Sequence, residues 1–272
     1  MRRFLIAVDL SDSASELLTF GFEFNKHFYA ELHVLHVFTV PFAVSAENIE
    51  HIDQYRQIQK GYTDLLWNLV NIHKQDHFDV VPVAISGGKM QAIIDYIEKQ
   101  HIELLIIGHK HRKAMGRWFS GSITLDLLQK PTIDTLAIPT GYIYHPWKII
   151  WACTDLSVPI TTNCSQRLKE LAVHLQCTIR FLHVSDAYLP ELPEDQTSIQ
   201  KIQQEFGQEI LKIRVKNSIP ETIQSVLDKE GGDLLVLFPH PHTWIDQLLL
   251  GTETEEISSK LNIPVLSMKT NR

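Results

Sequence analysis

The sequence has few of the features that mark secreted or membrane proteins. It contains only three cysteines, Cys153, Cys164 and Cys177, with no C-x-x-C spacing, so neither a disulfide framework nor a zinc ribbon is expected. Its apolar runs are strand-sized and soon broken by charge, which argues against a transmembrane helix. The apolar segment after the basic N-terminus is also too short for a signal peptide. The sequence therefore predicts a soluble, cytoplasmic protein that contacts no membrane.

Positive charge is scarce as well. The chain has 25 Lys and Arg against 32 Asp and Glu, a formal net charge of -7. This balance argues against a nucleic-acid partner, because such proteins present a broad cationic face to phosphates. The cations cluster locally in residues 108–122, GHKHRKAMGRWFSGS. A basic cluster in an acidic chain is the pattern expected of a site for a small anion, although local chemistry alone is equally compatible with a solvated loop.

The chain contains an internal duplication. Asp9 and Ser11, which follow the first apolar run, recur as Asp155 and Ser157 after a similar run in the second half. The tripeptide Leu-His-Val at 35–37 recurs at 182–184. Later segments also match, at one constant offset, which is hard to obtain by chance. The spacing shortens between the second and fourth strands, so one helix of the second half is expected to be shorter.

Each half alternates β-rich runs with helical periodicity, which predicts βαβ units and a mainly parallel sheet. The predicted fold is α/β, with two tandem, doubly wound, five-stranded domains of Rossmann-like type at residues 1–145 and 146–272. Ser13 and Glu16 form a capping box that predicts the start of the first helix, and residues 48–75 predict a long helix. Strands are predicted at 3–8, 30–37, 80–85, 104–107 and 136–138, and again at 149–152, 178–184, 210–215, 234–238 and 265–268.

The basic cluster contains two of the elements that bind phosphate. Gly108 follows a predicted strand, and Gly121 and Ser122 precede a predicted helix. Glycine lets backbone N–H groups approach an anion closely, and a helix N-terminus carries partial positive charge. Arg112 adds a side chain that can bind phosphate in a bidentate way. Neither G-x-x-x-x-G-K-[ST] nor G-x-G-x-x-G is present, so these residues alone do not identify a nucleotide loop.

The duplication, the Asp after strand one, the Leu-His-Val of strand two and a Gly-x2-Gly-x9-Gly-Ser/Thr spacing after strand four together resemble the universal stress protein (UspA) family. The resemblance is to its tandem members, whose fold is adenine nucleotide alpha hydrolase-like. It implies ATP or another adenine nucleotide as ligand, and it leaves open whether magnesium is bound with the nucleotide. In ATP-binding members, the loop wraps the phosphates, the strand-one Asp lies near ribose and adenine, and strand two reads the adenine edge. The implied binding residues are Asp9, Val37, Gly108, His111, Arg112, Gly121 and Ser122.

The two halves depart from the family pattern to different degrees. In the first half, His111 stands where the second glycine is expected. In the second half, Phe238 replaces the first glycine and Pro241, which has no N–H donor, replaces the second. We therefore predict that the first half binds nucleotide and that the second, despite its Gly251-Thr252, is a structural partner. The resemblance further implies an intramolecular pseudo-dimer, often joined through fifth-strand edges, and leaves a homodimer open.

The expected function is that of a nucleotide-binding stress-response regulator acting through protein partners. A scaffold that binds no nucleotide and a slow ATP hydrolase are the alternatives. No catalytic residue is predicted, because the sequence shows no nucleophile beside a base. No metal site is predicted either, because the His pairs at 109/111 and 240/242 lack a third ligand. Asp9 has a local alternative as the cap of a turn, while His36 and His183 are expected to be packing residues.

Overall fold

The computed structural model describes residues 2–39, 49–73, 79–109, 122–129, 133–185, 193–215, 219–239 and 262–270. These residues belong to two compact units. The first unit contains the described residues up to 108 together with residues 140–144. The second contains residue 109, the described part of 120–139, and the described residues from 145 onward. The domain boundary at 145/146 concerns the sequence repeat and stays a prediction.

Four parallel strands form the sheet of the first unit, in the order β3-β2-β1-β4. They are β1 Arg3–Ala7, β2 Glu31–Phe38, β3 Val80–Ser86 and β4 Leu104–His109, and the helices between them are α1 Asp12–Asn25, α2 Ile49–His73 and α3 Lys89–Gln100. In register, Phe4 pairs with both Leu32 and Leu104. Because the strands are parallel, their carboxyl ends share one edge, where open α/β sheets bind ligands.

Helix α1 lies very close to strand β1 at Gly21. A Cβ atom placed on Gly21 would lie 2.4 Å from Cδ1 of Ile6, so a side chain here would require the Ile6 side chain to move. Ile6 is completely buried, and the flanking Phe20 and Phe22 of α1 are each 1% exposed. In the core of the first unit, the aromatic side chains of α1 therefore pack against β1, a central strand that is almost fully buried.

The first helix begins two residues before the capping box predicts, because its N-cap is Ser11 and not Ser13. Helix α1 starts at Asp12 with Ser11 as its N-cap, at φ -85° and ψ 173°. Ser13, the predicted cap, already lies inside the helix, so that prediction is wrong. The physical reason is the turn before the helix, in which Leu10 has a φ of 56° and brings Ser11 into the extended conformation that a cap requires.

Six strands form the sheet of the second unit, in the order β5-β10-β9-β6-β7-β8. They are β5 Asp134–Pro139, β6 Ile149–Cys153, β7 Thr178–Ser185, β8 Ile210–Arg214, β9 Leu234–Leu237 and β10 Val265–Ser267, and the helices are α4 Ser122–Gln129, α5 Thr162–Leu175, α6 Pro193–Phe206 and α7 Ile219–Glu230. Neighbouring strands are parallel except β5 and β10. All ten predicted strands are present, and the α/β fold is confirmed. Helix α6 is shorter than α2, as the repeat spacing predicts.

The antiparallel pair joins the fifth strand of the first sequence repeat to the fifth strand of the second. Leu136 of β5 pairs with Leu266 of β10. Beside this pair, the Asp134 carboxylate accepts hydrogen bonds from the Arg167 guanidinium and, at 2.9 Å, from the backbone N–H of Lys269. The Arg167 and Asp134 side chains are only 17% and 12% exposed. This largely buried ion pair ties α5 to both fifth strands.

No helix in the described ranges combines the length and the apolar character that crossing a membrane would require.

Candidate functional site

Asp9 closes strand β1 with a tight local turn. Its Oδ1 accepts a 3.0 Å hydrogen bond from the backbone N–H of Ser11 and a 2.5 Å bond from the Ser11 hydroxyl. The second half repeats the turn, because Asp155 Oδ1 accepts from the N–H and the hydroxyl of Ser157 at 3.1 and 2.7 Å. The local alternative for Asp9 is therefore real. It uses Oδ1 in both bonds, and a ligand role for the same carboxylate is compatible with it.

In each half, one histidine of the second strand is hydrogen-bonded to the residue that precedes the turn. His36 Nδ1 lies 3.1 Å from the carbonyl oxygen of Val8, and His183 Nδ1 lies 2.9 Å from that of Thr154. Since a carbonyl only accepts, Nδ1 carries the proton in both rings. The expectation that both histidines are packing residues with satisfied hydrogen bonds is confirmed. Each bond fixes the residue that immediately precedes Asp9 or Asp155.

A lysine that the sequence analysis did not select belongs to the same neighbourhood. Lys89, the first residue of α3, interacts electrostatically with both Asp9 and His36. Burial lowers the pKa of Lys89, while the charge of Asp9 acts in the opposite direction. Burial likewise lowers the pKa of His36, partly offset by its bond to Val8 and by Asp9. The first unit thus places one carboxylate, one ammonium and one imidazole at the carboxyl edge of its sheet.

Aromatic side chains from β2 and α2 stand beside this charged group. The rings of Phe38 and Tyr62 are stacked, with centroids 4.8 Å apart, and the centroid of Tyr62 lies 5.0 Å from that of His36. Tyr55 adds a hydroxyl that accepts a 3.2 Å hydrogen bond from Ser86, at the end of β3. Phe38 is only 1% exposed, so the aromatic surface at this edge comes from the partly buried Tyr55 and Tyr62.

Val37 and Gly108 lie at the carboxyl ends of β2 and β4 in the first unit. Val37 is buried and pairs in register with Ile85 of β3. Gly108 is different, because among the described residues the nearest atom to a Cβ placed on it is Leu17 Cδ2, at an ordinary 3.8 Å. Gly108 also does not have the positive φ that favours glycine. The described packing therefore does not explain why this residue lacks a side chain.

The remaining predicted binding residues are described incompletely or not at all. His111, Arg112 and Gly121 lie outside the described residues, as does the second-half loop with Pro241, Gly251 and Thr252. Ser122 is the first residue of α4, in the second unit. In the second half, Phe238 stands at the position of Gly108 and is 3% exposed. The signature loop thus stays a sequence-based prediction.

Metal ligands are not grouped in the part of the chain that the structure describes. No three His, Cys, Asp or Glu side chains in the described ranges could hold an ion together. The two histidine pairs considered from the sequence include residues outside these ranges.

A comparison with protein-family models decides the family. Residues 1–139, just over half of the chain, match the model of the universal stress protein family. The chain belongs to the universal stress protein family.

Individual relatives and solved structures agree with this assignment. The Universal stress protein E homolog of Haemophilus influenzae is 23% identical over 245 residues, which cover 81% of this chain and 77% of the relative. The Universal stress protein A homolog of Pasteurella multocida is 26% identical over 136 residues, covering 50% and 94% of the two chains. A crystal structure of a universal stress protein from Archaeoglobus fulgidus superposes with a TM-score of 0.67 at 13% identity, over 98% of this chain and 96% of the other. This structural likeness supports the fold.

Lys89 was not among the binding residues predicted from the sequence. The sequence carried a signal for this lysine, since it directly follows Gly87-Gly88 at the end of a predicted strand. A cation at the N-terminus of the next helix lies on the ligand-binding edge of a parallel sheet.

Proposed function

We propose that this universal stress protein binds an adenine nucleotide in its first half and acts as a stress-response regulator through protein partners. Asp9, Val37 and Gly108 are the contacts that the first unit supplies. His111, Arg112, Gly121 and Ser122 complete the proposal on sequence grounds. Lys89 is added to these residues because of its place beside Asp9.

The absence of a side chain at Gly108 is the observation that carries this proposal. Neither its backbone φ nor the packing of the described residues around it calls for glycine. A glycine at the end of a parallel strand allows a ligand to approach the backbone closely. Phe238 at the equivalent position supports the prediction that the second half does not bind in the same way.

The two charges at this edge suit the ribose and the phosphates of a nucleotide. The Asp9 carboxylate can accept hydrogen bonds from ribose hydroxyls, and the Lys89 ammonium can pair with phosphate oxygens. Tyr62 is partly buried and stacks on the fully buried Phe38, so Tyr62 is the ring of this pair that a base could contact. Magnesium bound to ATP would neutralise part of the phosphate charge.

Calorimetric titration of the full chain with ATP, ADP and AMP, with and without magnesium, tests the proposal. We expect about one nucleotide per chain, and at 100-fold excess over Kd it should stabilise the fold by roughly 2.7 kcal/mol. Gly108→Val should abolish binding while the protein remains folded. Gly61→Ala is the matched control, because a Cβ on Gly61 meets nothing within 4 Å.

The alternatives give different results in the same experiments. No heat and no thermal shift at millimolar ATP, with the protein folded, would replace the regulator by a scaffold that binds no nucleotide. Steady release of ADP well above background, lost in Asp9→Ala, would instead favour a slow ATP hydrolase. Binding that survives Gly108→Val would contradict the placement of the site.

A further inference from the structure

A serine, a histidine and a threonine form a hydrogen-bonded chain between α1 and α2 in the first unit. Ser15 Oγ lies 2.7 Å from His73 Nε2, and Thr19 Oγ1 lies 3.1 Å from His73 Nδ1. Thr19 also donates its hydroxyl proton to the backbone carbonyl of Ser15, at 3.0 Å. Both ring nitrogens of His73 are therefore engaged, one by each hydroxyl.

One arrangement of protons satisfies all three of these contacts at once. Because the Thr19 hydroxyl proton is already given to a carbonyl, its Oγ1 can only accept from His73, so Nδ1 carries the ring proton. In the neutral ring, Nε2 then has a lone pair and accepts the proton of the Ser15 hydroxyl. This is the arrangement of a serine nucleophile, a base and a group that orients the base.

The surroundings of His73 favour the neutral, basic form of its ring. Burial lowers the pKa of His73 below its ordinary value of 6.5. The ring is nevertheless only partly buried, as is Ser15, while Thr19 is exposed. Ser15 and His73 therefore both retain some exposure to solvent. Ser15 also lies near the start of α1, where the helix dipole is positive and favours developing negative charge.

We propose that Ser15 is an acylable nucleophile that cleaves small activated carboxylic esters, with His73 as its general base and Thr19 positioning the imidazole. Ser15 Oγ attacks the ester carbonyl carbon while its proton passes to His73 Nε2. The bond to the leaving alcohol or phenol breaks, the leaving oxygen takes that proton, and an acyl-Ser15 ester remains. Water then attacks the acyl carbon through the same base, which releases the carboxylic acid and restores Ser15.

A purely structural role would predict a different chemistry. Hydrogen bonds that only hold α1 against α2 would leave Ser15 no more reactive than other partly exposed serines. An activated Ser15 should be the one acylated site in each chain, and the rate of acylation should follow the ionisation of His73. Reaction at Ser15 is independent of nucleotide binding, so each proposal can fail without the other.

The experiment uses the full chain with p-nitrophenyl acetate, followed by mass spectrometry of peptides. We expect a burst of about one p-nitrophenolate per chain and an acetyl group on Ser15. Ser15→Ala should remove the burst, and His73→Asn should slow it by about 10²- to 10⁴-fold, the usual range for a general base. Thr19→Val should slow it less, because the ring keeps its base but loses its orientation.

His101→Asn is the control for non-specific ester cleavage by surface imidazoles, since His101 is exposed and lies outside this cluster. It should keep the full burst. The pH dependence of the burst rate in the wild-type protein provides a readout that does not rely on any variant folding. This rate should rise with pH to a plateau, with a midpoint below pH 6.5. Acetylation spread over many residues, or a burst unchanged in Ser15→Ala, would overturn the proposal.

Discussion

His36 and His183 make the same hydrogen bond in the two halves of the chain, each from Nδ1 to the carbonyl of the residue before a strand-closing Asp. Their environments nevertheless differ, since His36 is 3% exposed and His183 is only partly buried. Asp9 and Lys89 also act on the His36 ring. The duplication thus preserved a structural bond, while the first half surrounded it with charge.

Acidification should destabilise the protein through His36 and His73. Burial lowers the pKa of both below 6.5, so the unfolded chain binds more protons between the folded-state value and 6.5. The contribution of both rings is therefore fully present above about pH 6.5 and is lost as the pH falls through their lowered folded-state pKa values. Urea unfolding at a series of pH values checks this. His36→Asn should flatten the profile, and an unchanged profile would exclude His36 as its source.

Removing one partner of the Asp134–Arg167 pair should be costly. Asp134→Asn leaves the Arg167 guanidinium largely buried without its counter-ion, and we expect a loss of about 3 kcal/mol in the free energy of unfolding. Asp53→Asn is the comparison, because its pair with Arg56 is exposed and should contribute less than about 1 kcal/mol. Denaturant melts of both variants give the two values. Equal losses would show that shielding from water is not the cause.

Gly21→Ala should destabilise the first unit despite the better helix propensity of alanine. The new Cβ would fall 2.4 Å from Ile6 Cδ1, and overpacking of this kind costs about 1–3 kcal/mol. Ile6→Val deletes that Cδ1 atom. The double variant should therefore lose less stability than the two single variants lose in sum. Thermal denaturation of the wild type, the two single variants and the double variant measures this coupling. Strict additivity would contradict the proposed clash.

Asp9→Ala and Asp155→Ala should separate a structural role from a binding role. Each removes the same two hydrogen bonds to a serine, so each should cost about 1 kcal/mol of stability. Only Asp9→Ala should lose ATP affinity in calorimetry. The loop variants should differ in the same way, because Gly121→Val should abolish ATP binding and Gly251→Val should not. Loss of binding in the second-half variants would reverse our assignment of the two halves.

The fold could be predicted from the sequence because its signals are local and repeated. Alternation of apolar strands with helical periods identified all ten strands, and the repeat spacing anticipated the short helix α6. The start of α1 was predicted wrongly, since the backbone turn at Leu10 decides it and the residue pattern does not contain that turn.

The candidate site was predicted only in part, for a different physical reason. Asp9, Val37 and Gly108 were implied by the resemblance to the universal stress protein family, and all three lie at the carboxyl edge that parallel strands share. Lys89 was missed because its nearness to Asp9 depends on how α3 starts, and Ser15 was missed because its partner His73 is 58 residues away. Contacts between helices distant in sequence leave no pattern in a single chain.

The antiparallel pairing of β5 with β10 limits how this chain can be divided. All six residues of β5 are buried, so a fragment ending at residue 145 would expose an apolar strand with no neighbour on the side that β10 covers. Such an open edge invites pairing with a second fragment or aggregation. Expression of the separate sequence halves should thus give swapped dimers or insoluble protein, and mixing the halves during refolding should restore solubility.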